Sequence, residues 1–200
     1  MDGGVIQEAS KLALDAGATP ASVLATIGEA DVDVPVAVMT YFNPVLHKGI
    51  DTFLGSAVAA GVAGIIVPDL PVDEAADLAS AAHEAGVAPV QLAAPGSSDE
   101  RLGAIGALAG GFVYCVATYG VTGERESLEA TAEDLVDALR PFTDLPLLVG
   151  VGIGTPEQAA AACAFADGAI VGSALVRRLV AGEPDGALDL AGAFRARIPA

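Results

Sequence analysis

A short apolar, β-rich run followed by a helical pattern occurs six times along this 200-residue chain, and this alternation limits the possible folds more than any other feature. The six predicted strands are continuously apolar, which is typical of parallel strands covered on both faces. They span residues 34–39, 63–67, 88–93, 111–116, 145–149 and 168–171. Strands that alternate with helices form right-handed βαβ units, so the sequence predicts an α/β protein with a parallel sheet.

Helical spacing of apolar residues predicts the elements between these strands. A first helix from Val5 to Ala16 follows the turn Asp2-Gly3-Gly4 and stops at Gly17. The others are predicted at 50–60, 73–85, 98–109, 128–140, 156–164, 175–180 and 187–197. Start signals agree with these bounds, because Thr155-Pro156 is typical of an N-cap followed by a proline in the first turn.

Two parallel architectures fit this alternation, an open doubly wound sheet and a closed eight-stranded barrel. A (β/α)8 barrel, the TIM-barrel fold, takes about 250 residues, whereas this chain has six predicted strands and an unpartnered helix in front. As a barrel it would lack roughly two strands, or about 50 residues, at its N-terminal end. No stretch resembles a linker, so we expect residues 1–200 to form one partial (β/α)8 barrel domain.

Composition narrows the possible partners and the compartment. Aspartate and glutamate number 26 against 9 lysines and arginines, and a net charge of −17 disfavours nucleic acid and anionic membranes as partners. No apolar run approaches the ~18 residues of a membrane span. Cys115 and Cys163 lie in apolar surroundings and are expected to be buried free thiols, which favours a cytoplasmic protein. The acidic, lysine-poor composition also resembles proteins of salt-loving microbes, a hypothesis about habitat.

The strongest local signal for chemistry lies in "LLVGVGIGTPEQ" and "GAIVGSALV", at the ends of the last two predicted strands. Gly150, Gly152 and Gly154 would let the backbone approach a ligand closely. Gly172-Ser173 begins a helix whose N–H groups and dipole attract an anion, and phosphate commonly binds there in barrels. Alternatively, these glycines only form tight turns. A dinucleotide site is weaker, because no acidic residue ends a strand about 20 residues later.

Three loops at predicted strand ends carry further candidates, each with a structural alternative. Tyr41 and Asn43 follow the first strand and are either site or packing residues. Asp69 is either a site carboxylate or a turn former before Pro71. The polar connection at 117–127 is either a lid or an ordinary surface loop.

The histidines carry less information. His47 is expected in a loop and His83 on a helix, both exposed rather than ligands, and no His/Cys spacing predicts a metal site.

Seven stretches together resemble the alpha chain of tryptophan synthase, in order and at family-like spacing. They are "DGGVIQEASKLALDAGATP", "MTYFNPVL", "GIIVPDLPVDEA", "APVQLAAPGSSDERL", "YGVTGERESL", "VGVGIGTPEQ" and "GAIVGSALV". The resemblance implies a (β/α)8 lyase of tryptophan biosynthesis that cleaves indole-3-glycerol phosphate into indole and glyceraldehyde 3-phosphate without a cofactor. It also implies a beta-chain partner in an α2β2 tetramer.

By this resemblance two carboxylates carry the catalysis. Asp2 matches the family's aspartate, which would hold the indole nitrogen and stabilise its developing charge. The family's glutamate, which would move protons at the carbon atoms, ends a strand with no counterpart here. We therefore expect little or no lyase activity from this polypeptide.

The resemblance also assigns binding residues. The indole pocket is matched by Met39, Tyr41, Ile66, Leu92, Tyr114 and Val151; the phosphate cradle by Gly123, Gly152, Gly172 and Ser173; the lid by Thr122; and the partner-docking positions by Asn43 and Pro71. An alternative function is a non-catalytic partner that docks on a beta chain and modulates it. A third is another phosphate-binding barrel, such as an isomerase, which the "GVTG" and "MTYFNP" stretches disfavour.

Overall fold

The computed structural model describes residues 3–116, 125–150 and 152–198. Within them six strands form one parallel sheet in the order of the sequence, β1-β2-β3-β4-β5-β6. The strands are β1 Val36–Met39, β2 Val62–Ile66, β3 Ala88–Ala93, β4 Val113–Val116, β5 Leu147–Gly150 and β6 Gly168–Ile170. All six predicted strands are confirmed. A doubly wound sheet reverses its strand order, whereas sequential order is that of a barrel, so the half-barrel architecture is confirmed as well.

Ten helices accompany the strands in the described ranges. They are α1 Gly4–Asp15, α2 Pro20–Glu29, α3 Phe42–Lys48, α4 Ile50–Ala59, α5 Ala76–Glu84, α6 Asp99–Leu108, α7 Arg125–Leu139, α8 Pro156–Ala162, α9 Ser173–Val180 and α10 Pro184–Arg197. Two 3₁₀ turns, Val72–Glu74 and Arg140–Phe142, lie before α5 and after α7. No helix in these ranges is long and apolar enough to cross a membrane.

Two helices, α2 and α3, were not predicted. In α2 the Thr19 hydroxyl accepts from the Ser22 N–H at 3.1 Å, while the Ser22 hydroxyl accepts from the Thr19 N–H at 2.9 Å. This reciprocal cap starts a helix whose apolar spacing alone is weak. The prediction that His47 lies in a loop is wrong, because it lies in α3. The predicted helix 73–85 is also divided, since a 3₁₀ turn precedes α5.

Alternation along the strands divides the core between two faces of the sheet. The outer face packs on helices, with Val113, Cys115 and Val149 among the buried residues of the largest cluster. The inner face holds a smaller cluster centred on Ile66, Val90 and Tyr114. In a barrel this inner face is filled by packed side chains, and the active site lies at the carboxyl ends of the strands.

Helix α1 is the least buried element at the front of the chain. None of its residues is buried, yet it packs against α9, the helix that follows the last strand. The chain then returns through α2, which buries Leu24 against Ala57 and Val62. Residues from the front of the chain therefore lie beside the junction that follows β6.

Candidate functional site

The two glycine-rich junctions that the sequence singles out are neighbours in the structure. Gly150, the last residue of β5, pairs with Ile170, the last residue of β6. Beyond them, Gly152 takes a left-handed turn at φ 83°, and Gly172 is the N-cap of α9. The carboxyl ends of the last two strands thus bring Gly152 close to the start of α9.

The first turn of α9 presents backbone N–H groups toward this junction. Leu175 and Val176 donate to the carbonyl of Gly172 at 3.0 and 3.1 Å, whereas the amides of Ser173 and Ala174 precede these bonds. Gly172 offers no side-chain cap, and a Cβ placed on it would meet nothing within 4 Å. Open space before a helix N-terminus suits an anionic oxygen, which the helix dipole attracts.

Gly150 and Gly154 have other roles than the close ligand approach expected of them. A Cβ on Gly150 would lie 2.5 Å from Tyr114 Oη and 2.7 Å from its Cζ, so the glycine makes room for the tyrosine ring. The N–H of Gly154 donates to Gln158 Oε1 at 2.7 Å and so belongs to the N-terminal cap of α8. Of the three glycines, Gly152 is the one that remains a candidate for close approach to a phosphate.

Three of the predicted indole-pocket residues lie together on the inner face. Ile66 is 7% and Tyr114 8% exposed, and Leu92 packs against the same cluster. The strand register explains this, because Leu92 pairs directly with Tyr114. Burial raises the pKa of the Tyr114 hydroxyl, which is therefore neutral at physiological pH. The cluster offers an apolar wall with one neutral phenol beside the glycine junctions.

Met39 and Tyr41 lie apart from that wall. The register pairs Met39 with Ile66, but β1 is an edge strand in the described part of the sheet. The two side chains are 51% and 48% exposed and line a cleft of about 590 Å³. Helices α1 and α2 form its opposite side, through residues such as Leu14 and Val23. The predicted pocket is thus divided between a packed cluster and an open cleft.

Asp69 has a role that neither alternative described, because its side chain caps a helix. Its Oδ1 accepts a hydrogen bond from the backbone N–H of Phe42, the first residue of α3, at 2.8 Å. The predicted docking residues Asn43 and Pro71 are both exposed and lie within two residues of this bond. Sequence reasoning missed the contact because its partners are 27 positions apart and no local pattern marks them.

Four predicted site residues, Asp2, Thr122, Gly123 and Val151, lie outside the described residues, as does the 117–124 part of the predicted lid. Their roles stay predictions.

The histidines are exposed as predicted, whereas the two cysteines differ in burial. His47 and His83 are exposed, and no group of three metal-ligating residues occurs in the described ranges. Cys115 is buried, and desolvation raises the pKa of its thiol to about 12. Cys163 is only half-buried, so the expectation of two buried thiols is confirmed for Cys115 alone.

Known proteins of one kind match nearly the whole chain. The family model described as tryptophan synthase alpha chain matches residues 1–191. The alpha chain of Rippkaea orientalis is 43% identical over 196 residues, which cover 96% of this chain and 73% of that protein. The alpha chain of Streptomyces coelicolor is 46% identical over 194 residues, which cover 96% of this chain and 71% of that protein.

Solved structures match as well. A Mycobacterium tuberculosis tryptophan synthase structure has a TM-score of 0.89 at 40% identity, and the match covers 99% of this chain and 76% of that chain. A structure of the tryptophan synthase a2b2 complex from Pyrococcus furiosus has a TM-score of 0.86 at 36% identity, and the match covers 96% of this chain and 79% of that chain. The compared chains therefore share the fold over almost all of this sequence, while extending beyond it.

Proposed function

The chain belongs to the tryptophan synthase alpha chain family, and from this premise we propose that it acts on indole-3-glycerol phosphate. As a carbon–carbon lyase of tryptophan biosynthesis it would release indole and glyceraldehyde 3-phosphate, and we expect little turnover unless a second acid–base group acts with Asp2. The observation that carries the proposal is the strand register. It sets the apolar wall of Ile66, Leu92 and Tyr114 on the same inner face as the ends of β5 and β6.

The two ends of the substrate match the two halves of this arrangement. The phosphate would accept hydrogen bonds from the amides of Ser173 and Ala174, with Gly152 and Gly123 completing the cradle. The indole ring would lie against the apolar wall, which excludes water from the reacting carbon atoms. An extended ligand held at both ends keeps its scissile bond between two fixed points.

Cleavage requires two proton movements. The glycerol hydroxyl loses a proton as its carbon becomes an aldehyde, and indole C3 gains one as the C–C bond breaks. Asp2 would hold the indole N–H, whose positive charge increases as C3 is protonated. A second acid–base group must serve the carbon side, and Tyr114 is unsuited to a base because burial keeps its hydroxyl protonated.

The proposed setting is cytoplasmic, with a beta chain as the partner in an α2β2 assembly. The exposed residues Asn43 and Pro71 would form part of the docking rim. The acidic surface, with its net charge of −17, would be screened by high salt, so the chain is expected to be more stable at molar salt. Indifference of the unfolding midpoint to salt would remove the halophilic part of the proposal.

A binding experiment tests the site separately from turnover. An unreactive indolylalkyl phosphate is titrated into the chain and into Gly172→Asp. The substitution supplies a favoured N-cap in open space, so the fold is retained, while its carboxylate repels phosphate. We expect at least a tenfold loss of affinity, against no change in Gly192→Asp, a control at another open glycine on α10. Equal affinity of all three proteins would refute the phosphate cradle.

Turnover distinguishes the two candidate functions. Indole release is measured with and without an added beta chain. Release above the uncatalysed rate supports the lyase. Binding to the beta chain without release supports the non-catalytic partner, a reading favoured by one observation: no strand residue in the described ranges is a carboxylate. If the chain binds neither the phosphoester nor the beta chain, both candidate functions are refuted.

A further inference from the structure

The loop after β2 is bonded to the helices that follow the two neighbouring strands. We define the rim segment as residues 68–74, which follow β2 and contain the exposed Pro71. On one side Asp69 accepts from the N–H of Phe42 at 2.8 Å. On the other side the Asp73 carboxylate pairs with Arg101 in α6. The rim segment therefore links α3, which follows β1, to α6, which follows β3.

We propose that Asp69 is a positioning residue for the docking of the beta chain. By holding the first residue of α3 against the rim segment, it keeps Asn43 and Pro71 at a fixed separation before the partner arrives. This inference rests on the proposed function, which assigns these two residues to the docking rim. Asp69 is not itself one of the two predicted docking positions.

The need for an external cap follows from the shape of α3. This helix has seven residues, and its N-cap residue Tyr41 makes no side-chain cap bond. Helices this short are marginal without tertiary contacts. Val45, fully buried, anchors the inner side of α3, and Gly49 ends it with φ 83°. Asp69 fixes the remaining end, which is the end that carries Asn43.

Fixing this end before binding lowers the cost of association. A flexible rim would have to be ordered when the partner docks, and that ordering weakens binding. A carboxylate such as that of Asp69 accepts a stronger hydrogen bond than a neutral oxygen does. Asp69 is exposed as well, but its partner is a backbone N–H at the start of a helix. The Asp73–Arg101 pair differs, because it joins two long side chains that are 63% and 44% exposed, and such surface ion pairs contribute little. Asp73 therefore provides a matched control on the same segment.

The test compares Asp69→Ala, Asp69→Asn and Asp73→Ala in the full chain. Titration with the beta chain measures Kd, and hydrogen exchange measures protection of the amides at residues 42–45. We expect Asp69→Ala to weaken binding about fivefold to tenfold and to speed exchange of the Phe42 amide, since one hydrogen bond to a charged group is lost. Asp69→Asn keeps an acceptor oxygen and should restore both, while Asp73→Ala stays within about twofold.

Two further measurements separate positioning from a general loss of structure. The urea m-value and the affinity for the indolylalkyl phosphate should be the same in Asp69→Ala and Asp69→Asn, although the urea midpoint of Asp69→Ala falls with the lost hydrogen bond. Beta-chain binding by Asp69→Ala as tight as that of the unsubstituted chain would overturn the inference, and so would Asp69→Asn as weak as Asp69→Ala. If the unsubstituted chain itself does not bind the beta chain, the docking part of the proposed function fails and this inference fails with it.

Discussion

Gly150→Ala should be far more damaging than its size suggests, because the Tyr114 ring occupies the space that a methyl group would need. The new Cβ would lie 2.5 Å from Tyr114 Oη, 2.7 Å from Cζ and 3.0 Å from Ile170 Cβ. Ordinary contact requires at least 3.4 Å, so the ring must move by about 1 Å. Tyr114 is 8% exposed and packs against Ile66 and Val90, so a shift of its ring disturbs a packed cluster.

Overpacking of this kind costs about 1–3 kcal/mol in free energy of unfolding. Urea unfolding followed by far-UV circular dichroism measures it, since the chain has no tryptophan to report by fluorescence. A matched control is Gly154→Ala, four positions on, where the Cβ would meet Gln158 Oε1 at 3.6 Å, an ordinary distance. We expect the control to lie within about 0.5 kcal/mol of the unsubstituted chain.

A double-variant cycle identifies the cause. Tyr114→Leu removes the ring and costs stability by itself, but in that background Gly150→Ala should add little or nothing. The coupling energy should then nearly equal the cost of Gly150→Ala alone. The reasoning would be refuted if Gly150→Ala cost the same with Tyr114 and with Leu at position 114, because the damage would then come from the backbone.

Three further predictions concern charge, thiol reactivity and local stability. Hydrogen bonds from Arg140 and from the Leu147 N–H lower the pKa of Asp167, so its contribution is present above the unfolded pKa near 3.9 and is lost as pH falls through the folded pKa. Asp167→Asn should therefore lose less than about 1 kcal/mol at pH 7, because the side chain is 40% exposed, and in urea titrations this deficit should shrink as the pH falls below about 3.9; a deficit independent of pH would contradict this. A thiol reagent should modify the half-buried Cys163 first and Cys115 only on unfolding, and simultaneous modification would argue against the buried environment of Cys115. Amides of α1, which has no buried residue, should exchange before those of α4, and equal protection would show that α1 is held more firmly than its burial indicates.

The sequence predicted the strands better than the short helices, for a physical reason. Strands covered on both faces must be apolar throughout, so their signal is continuous and local. Helix α3 has seven residues and carries Pro44 in its first turn, which reads as a turn when taken alone. Its helical state depends on the burial of Val45 and on the Asp69 cap, and both are contacts with distant parts of the chain.

The candidate site divides in the same way. Gly172-Ser173 was correctly expected to begin a helix, because the change from a β-rich run to a helical pattern is written in neighbouring residues. The sequence did not predict why position 150 is a glycine. The Tyr114 ring that occupies the space beside Gly150 belongs to a residue 36 positions earlier in the chain. Whether a glycine admits a ligand or a neighbouring side chain depends on which strands pair.

The sequence by itself determined the alternation of strands and helices, and through it the parallel sheet and the edge at which the site residues gather. Only the tertiary structure decided that α1 packs on α9, that Met39 and Tyr41 line an open cleft, and that Asp69 caps α3. Periodicity reports which face of an element is apolar, because that depends on neighbouring residues. Contacts between elements depend on the register of the sheet and on chain reversals, which no short stretch of sequence encodes.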